Sequence, residues 1–199
     1  MSATECETRK NGILSSMKYL FDTSSLLAVA RYYIPFDKER NLYEWLRGKY
    51  DSKEMVLLDA IIDESKYVAH NIIQKTFPFL FVNNDLIVNT TDLLPCNTKR
   101  FDNLVNNNFV ISSLTRNNKV DFSILKQNFL KSGDGKIVLY AYNCIQNGQT
   151  DFCIVTEETR YSNDNKPFKK IPSICEIINA PCLNVVDLLS HTDMKIIIG

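Results

Sequence analysis

The segment Tyr19-Leu20-Phe21-Asp22-Thr23-Ser24-Ser25 restricts the fold of this chain more than any other stretch. Residues 17–21 form a short, mainly apolar run, and residues with helix N-cap character follow it directly. Behind them Leu26, Leu27, Ala30 and Arg31 recur at helical spacing. A strand that passes straight into a capped helix is the opening of an α/β unit.

The pattern returns along the chain. Met55-Val56-Leu57-Leu58 reads as a second buried strand, and Asp59 caps a helix predicted to run through Glu64, Val68 and Ile72. Ser132-Gly133-Asp134-Gly135 opens a helix in which Ile137, Val138, Ala141, Cys144 and Ile145 share a face, with Gly148 as its stop. Phe152-Cys153-Ile154-Val155 is a near-continuous apolar run, as a central parallel strand requires. A turn at Pro35 and Asp37 precedes an amphipathic helix over 38–50, with Leu42, Trp45 and Leu46 on one face. Helices are also predicted near 99–107, 121–130 and 173–179, a strand near 182–185, and a terminal helix or strand. Between 75 and 131 the pattern weakens: Pro78 and Pro95 break it, and Val110-Ile111-Ser112 fits no single template. The expected class is α/β, a three-layer sandwich with a mostly parallel central sheet. Residues 1–16 are polar and read as a flexible leader outside the fold, with 17–199 as one domain.

Composition narrows the function. Lys+Arg and Asp+Glu are equal at 23 each, so the formal net charge is zero. Nucleic-acid binders often carry a basic excess, so polynucleotide contact here requires a local basic surface or a basic partner chain. The six cysteines form no CxxC pair, and His70 and His191 are the only imidazoles, which argues against structural zinc. Cys144 and Cys153 lie in apolar runs and read as reduced core residues. Residues 1–16 lack an apolar signal core, and no apolar stretch approaches the ~20 residues of a membrane span. The expectation is a soluble cytoplasmic protein without membrane contact or disulfides.

The acids carry the chemistry. In open parallel sheets, sites form outside the carboxyl ends of the strands. Asp22 and the Glu157-Glu158 pair each follow a strand, and Glu64 and Asp134 sit near helix starts that face the same edge if crossovers are right-handed. Asp22, Glu64, Asp134 and Glu158, or Glu157 in its place, would then surround one cleft. Carboxylates crowded in poorly solvated space repel each other, and hard oxygen ligands select Mg²⁺ or Mn²⁺. Such a site can activate water and stabilise charge on a phosphate in flight. Each acid also has a purely structural role open to it. Asp22 can cap the first helix, Glu64 can be a solvated helix residue that favours the dipole, Asp134 can cap a tight turn, and Glu157 and Glu158 can form the polar end of a strand. The joint placement is what favours catalysis.

Taken together, these residues resemble the PIN-domain family of metal-dependent ribonucleases. That family opens with an apolar strand, an Asp and Ser/Thr/Asn before a helix, here Tyr19-Leu20-Phe21-Asp22-Thr23-Ser24-Ser25-Leu26. Its second acid is matched by Asp63-Glu64, and its third by Gly133-Asp134-Gly135-Lys136-Ile137. Its fourth, a Thr-x-Asp after a strand, reads here Val155-Thr156-Glu157-Glu158, with Glu in the place of Asp. The resemblance spans about residues 17–189. Its C-terminal part is similar to a PIN subfamily long catalogued as a domain of unknown function, in which an acidic Val-Thr-Glu-Glu run precedes Lys-Ile-Pro-x-x-Cys. This chain has Lys170-Ile171-Pro172-Ser173-Ile174-Cys175.

The resemblance implies a Mg²⁺- or Mn²⁺-dependent endoribonuclease. Many bacterial members are toxins held inactive by an antitoxin, and many form homodimers. Asp22, Glu64, Asp134 and Glu158 would be catalytic and metal-binding, with Glu157 a further metal candidate. Thr23, Ser24 and Thr156 would orient the carboxylates. Arg160, Lys169 and Lys170, in a basic stretch that also holds Lys166, would touch RNA phosphates, or would simply line a solvated loop. A non-catalytic PIN-like module that binds RNA or a protein is the alternative. A doubly wound phosphatase is disfavoured, because no Asp-x-Asp follows the first strand.

Overall fold

A computed structural model of the protein describes residues 17–82, 84–116, 120–160 and 166–192. The expected leader, 1–16, lies outside the described residues. β1 (Lys18–Phe21) is the centre of a five-stranded sheet. β2 (Met55–Leu58) and β4 (Phe152–Val155) flank it, and β3 (Ile87–Val88) and β5 (Cys182–Leu183) form the edges. The order is β3-β2-β1-β4-β5, and every pairing is parallel. β2 and β4 are buried at every position, and β1 at all but Lys18. This is why their sequences are continuous apolar runs rather than alternating ones: helices cover both faces. Each large side chain so buried contributes roughly 1.5–3 kcal/mol.

The chain steps outward from β1 through β2 to β3, then crosses back to the far side of β1 for β4 and β5. Right-handed crossovers on the two sides of that reversal lay helices on opposite faces. The result is the expected three-layer α/β sandwich, with a sheet that is fully parallel. The reversal falls between β1 and β4, and in such sheets ligands bind there, outside the strands' carboxyl ends. Phe21 is in register with Val155. Asp22 and Thr156 therefore leave the sheet side by side.

The helices are α1 (Thr23–Ala28), which continues as a π-helical turn over Val29–Tyr33, then α2 (Asn41–Asp51), α3 (Asp59–Ser65), α4 (Ile72–Thr76) and α5 (Thr98–Asn107). After these come α6 (Ser112–Arg116), α7 (Phe122–Lys131), α8 (Gly133–Gln146), α9 (Ile171–Ile178) and α10 (Val185–Ser190). α8 buries Ile137, Val138, Ala141 and Cys144, joined by Leu139 and Tyr142. Its end is a Schellman motif: Gly148 N–H reaches Ile145 O at 3.0 Å and Gln149 N–H reaches Cys144 O at 2.9 Å. Gly148 supplies the left-handed residue that this turn requires, at φ 72°.

Several details depart from the sequence reading or complete it. The helix expected to run from Asp59 to Ile72 stops at Ser65, because Ala69, His70 and Asn71 all take left-handed backbone before α4 restarts. Asp59 is not the cap; Leu58 holds that position. Asp59 instead accepts from Ala60 N–H at 2.7 Å, from Thr90 N–H at 2.9 Å and from the Thr90 hydroxyl, which ties the start of α3 to the loop after β3. β3 itself lies in the stretch where the pattern weakened. α9 starts at Ile171, with Pro172 in its first turn, where a missing N–H costs nothing. The ambiguous Val110 forms an antiparallel bridge with Phe168, so the middle of the chain clasps the segment before α9. Among the described residues no helix is long and apolar enough to cross a membrane.

Candidate active site

Asp22 caps α1: its Oδ1 accepts from Ser25 N–H at 2.7 Å. A cap requires one acceptor oxygen. Here the second is held as well, by the Thr156 hydroxyl at 2.6 Å and the Ser24 hydroxyl at 2.8 Å. The side chain is only 2% exposed. Burial raises its pKa above the ordinary carboxylate value, although hydrogen bonds from Thr156, Ser25 and Ser24 pull the other way. The same hydroxyls anchor the loop after β4: Glu157 N–H donates to Ser24 Oγ at 3.0 Å and Glu158 N–H to Thr156 Oγ1 at 3.1 Å.

Glu64 reaches this place from α3. Its Oε2 accepts from the Thr23 hydroxyl at 3.0 Å. The start of α8 lies directly against it. A Cβ on Gly133 would stand 2.5 Å from Glu64 Oε2 and 2.7 Å from Ile61 Cδ1. Only glycine lets α8 begin this close to α3. Ser132 caps α8 by accepting from Gly135 N–H at 3.2 Å, and Asp134 occupies the first turn.

Asp134 takes no hydrogen bond from any described residue. Its carboxyl is pushed up to about 6 by burial, with the charges of Glu158, Glu64 and Asp22 adding to it and Lys166 opposing. Four acids expected to converge thus share one electrostatic neighbourhood. Thr23, Ser24 and Thr156 each bond to one of their carboxylates.

Glu158 differs from the other three. Lys170 Nζ lies 2.7 Å from its Oε1, and Ile171 N–H donates to Oε2 at 3.0 Å, so it caps α9 and carries its own counter-charge. Both side chains of that pair are poorly accessible, 15% and 13% exposed. Lys170, expected at RNA phosphates, therefore holds Glu158 instead. Glu157 turns to another helix: its Oε1 accepts from Val185 N–H at 2.7 Å, at the start of α10. That bond ties one carboxylate oxygen of Glu157 to α10, and Glu157 is not among the charges that raise the pKa of Asp134. Arg160 pairs with Glu176 at 2.7 Å on the exposed surface. Lys169 lines a cavity with Lys166 and Asp134.

The glycines on both sides of Asp134 signal close approach in the sequence, and Gly133 makes it, against Glu64 and Ile61. Sequence reasoning passed over Phe129 and Phe168, which line that cavity. No local signal marked those two, because a contact between distant segments brings them together.

The donor set fits a hard divalent cation in kind: anionic oxygens, with no ion pair from a described Lys or Arg to Asp22, Glu64 or Asp134. In spacing, no three described His, Cys, Asp or Glu residues stand as a ready-made ligand set.

The fold and site define a doubly wound parallel α/β protein with a group of acids at its topological switch point. The chain belongs to the family described as a domain of unknown function, DUF4411, whose model matches residues 19–196. No curated protein and no solved structure matches it.

Proposed function

We propose that the protein is a Mg²⁺- or Mn²⁺-dependent endoribonuclease of the PIN type, with Asp22, Glu64 and Asp134 as its metal-holding acids. One observation carries this reading. Asp134 is pressed toward neutrality by burial and by three other acids, at the point where parallel α/β sheets bind ligands. Structural carboxylates normally have a partner that relieves such repulsion. A bound divalent ion would supply that relief, lower the pKa of a water and stabilise the charge on a reacting phosphate.

The chain's own residues supply the positioning. Ser24 and Thr156 hold Asp22 in one orientation, and Thr23 holds Glu64. Gly133 lets Asp134 and Glu64 approach. Glu158, paired with Lys170, sets the field at Asp134 and fixes the start of α9, so its role is positioning. Lys166 and Lys169 provide local positive charge for phosphate in a chain of zero net charge. The family resemblance extends the reading to a cytoplasmic toxin of a toxin–antitoxin pair, with an antitoxin as partner and a homodimer as its assembly.

A second reading is a non-catalytic RNA- or protein-binding module. It is favoured by the ion pair of Glu158 with Lys170 and by the lack of a ready three-residue ligand set among the described residues. Incubation of a labelled RNA with the protein separates the two. The nuclease reading expects internal cleavage in Mn²⁺ or Mg²⁺ that EDTA abolishes and Asp134→Asn removes. Binding without cleavage in either metal supports the module.

A further inference from the structure

Cys175 and Cys182 face each other across a turn at the edge of the sheet. Cys175 sits in the last turn of α9, and Cys182 opens β5. Asn179 ends α9 in left-handed backbone at φ 57°, and Ala180 N–H returns to Cys175 O at 2.9 Å. Pro181 O then accepts from Ile154 N–H at 2.9 Å and Leu183 O from Thr156 N–H at 3.0 Å, so β4 fixes Cys182 on the sheet. The turn folds the second cysteine back onto the first, and the Cys175 thiol donates a hydrogen bond to the Cys182 sulfur. Both line one cavity of about 460 Å³, with Arg160 and Asn184 also in its wall. Cys175 is 1% exposed, whereas Cys182 is only partly covered, and neither is in a disulfide.

A single buried thiol is inert. Two sulfurs in contact, one of them open to a cavity, are a different case. The hydrogen bond from Cys175 lowers the pKa of Cys182 and Arg160 adds to this, while burial and the charges of Asp22 and Glu158 oppose it. The same bond, with burial, raises Cys175. Thiolate character therefore falls on the sulfur that the cavity exposes. We infer that Cys175 and Cys182 form a redox dithiol, a modification site at which a hydroperoxide converts the two thiols to an intrachain disulfide. The Cys182 thiolate attacks one peroxide oxygen, the O–O bond breaks, and an alcohol leaves (water, for hydrogen peroxide), so Cys182 becomes a sulfenic acid. The Cys175 thiol gives up its proton and attacks the Cys182 sulfur. The S–S bond forms, and the hydroxyl leaves with that proton as water. The two thiols lose two electrons and the peroxide gains them. A dithiol reductant reverses the step by exchange. The sulfurs already touch, so rotation of the side chains can close the ~2.05 Å bond without unfolding either element. Cys153 lies near Cys182 but stays a thiol: burial and the Cys182 charge push it up to about 12, and its S–H donates to Ile154 O at 3.5 Å. This thiol chemistry is independent of what the acids do.

The test is peptide mapping of the whole protein after brief exposure to hydrogen peroxide, with iodoacetamide labelling in denaturant and then trypsin. Cys175 and Cys182 fall on one tryptic peptide, 171–195, with no third cysteine. That peptide is expected to lose two hydrogens and refuse the label, and to take up two labels after treatment with a dithiol reductant. Cys182 is expected to react with peroxide at least about tenfold faster than the exposed Cys96. Cys175→Ser should leave a sulfenic acid on Cys182 that dimedone traps, and in Cys182→Ser the buried Cys175 should stay reduced. Mapping of the wild-type protein needs no variant, so a serine that unsettles the core leaves the test standing. Two free thiols in peptide 171–195 when Cys96 is already oxidised overturn the inference. So does a cross-link from this peptide to the one that holds Cys153, or equal oxidation of Cys175 in Cys182→Ser.

Discussion

Asp134→Asn removes a charge that burial and neighbouring acids disfavour, and its effect on stability can be worked out in advance. Folding raises this carboxyl from 3.8 to about 6. At about 1.36 kcal/mol per pH unit, ionisation of Asp134 opposes the folded state by at most about 3 kcal/mol. Residual solvent contact screens part of this, and loss of a negative charge from the first turn of α8 removes roughly 0.3–1 kcal/mol of favourable dipole energy. A net gain of about 1–2 kcal/mol remains. The sign of its pH dependence is the reverse of the usual aspartate. Because the folded pKa is raised, the folded state binds the extra proton between pH 3.8 and about 6, and wild-type stability falls as pH rises through that window. The variant should therefore match wild type near pH 3.8, gain steadily to pH 6, and hold a constant advantage above it. Urea unfolding in EDTA at several pH values measures this directly. Added Mg²⁺ should stabilise wild type and leave Asp134→Asn unmoved. A variant less stable than wild type at pH 8, or an advantage that does not change with pH, refutes the electrostatic account of this residue.

Three other substitutions separate the acids from their supports. Gly133→Ala forces a methyl against Glu64 Oε2 and Ile61, so it should cost about 1–3 kcal/mol in thermal or urea unfolding and also lower RNA cleavage. Glu157→Gln keeps the oxygen that accepts from Val185 N–H, so cleavage and stability should stay near wild type, whereas Glu157→Ala should lose about 1 kcal/mol by leaving that N–H without its acceptor, Asn184 still capping α10. Lys170→Met strands Glu158 without its counter-charge in a poorly accessible place, so unfolding should show a loss of about 2–4 kcal/mol; wild-type stability there would mean that the pair is not functioning as a buried one.

The parts of the fold that local chemistry dictates were readable in advance. β1 with its cap, β4, and the Ser132 start and Gly148 stop of α8 all follow from runs, caps and turns a few residues long. β3 did not stand out, because two residues, Ile87 and Val88, make no period. The break after Ser65 was hidden too, since Ala69 gives no sign of left-handed backbone and His70 and Asn71 only favour it statistically. In the site, Asp22, Glu64, Asp134 and Glu158 were legible from their positions at strand ends and helix starts. The division of labour between Glu157 and Glu158 was not. It depends on which helix start each side chain meets, Val185 for one and Ile171 for the other, and those lie 28 and 13 residues away. The same holds for Lys170, whose basic sequence context suggested solvent and phosphate but whose fold gives it to Glu158.

Asp22→Asn bears most directly on whether the group of acids is catalytic. Asparagine can keep the cap to Ser25 N–H, and the hydroxyls of Ser24 and Thr156 can turn to accept from its amide, so the fold should survive. The charge that a divalent ion needs is gone. Cleavage of single-stranded RNA in Mn²⁺, with thermal unfolding and metal titration on the same samples, is the measurement. The nuclease account predicts a variant that melts at or above the wild-type temperature in EDTA, binds the ion weakly and has lost nearly all cleavage. A folded Asp22→Asn that cuts RNA at the wild-type rate would contradict it and leave Asp22 as the cap of α1.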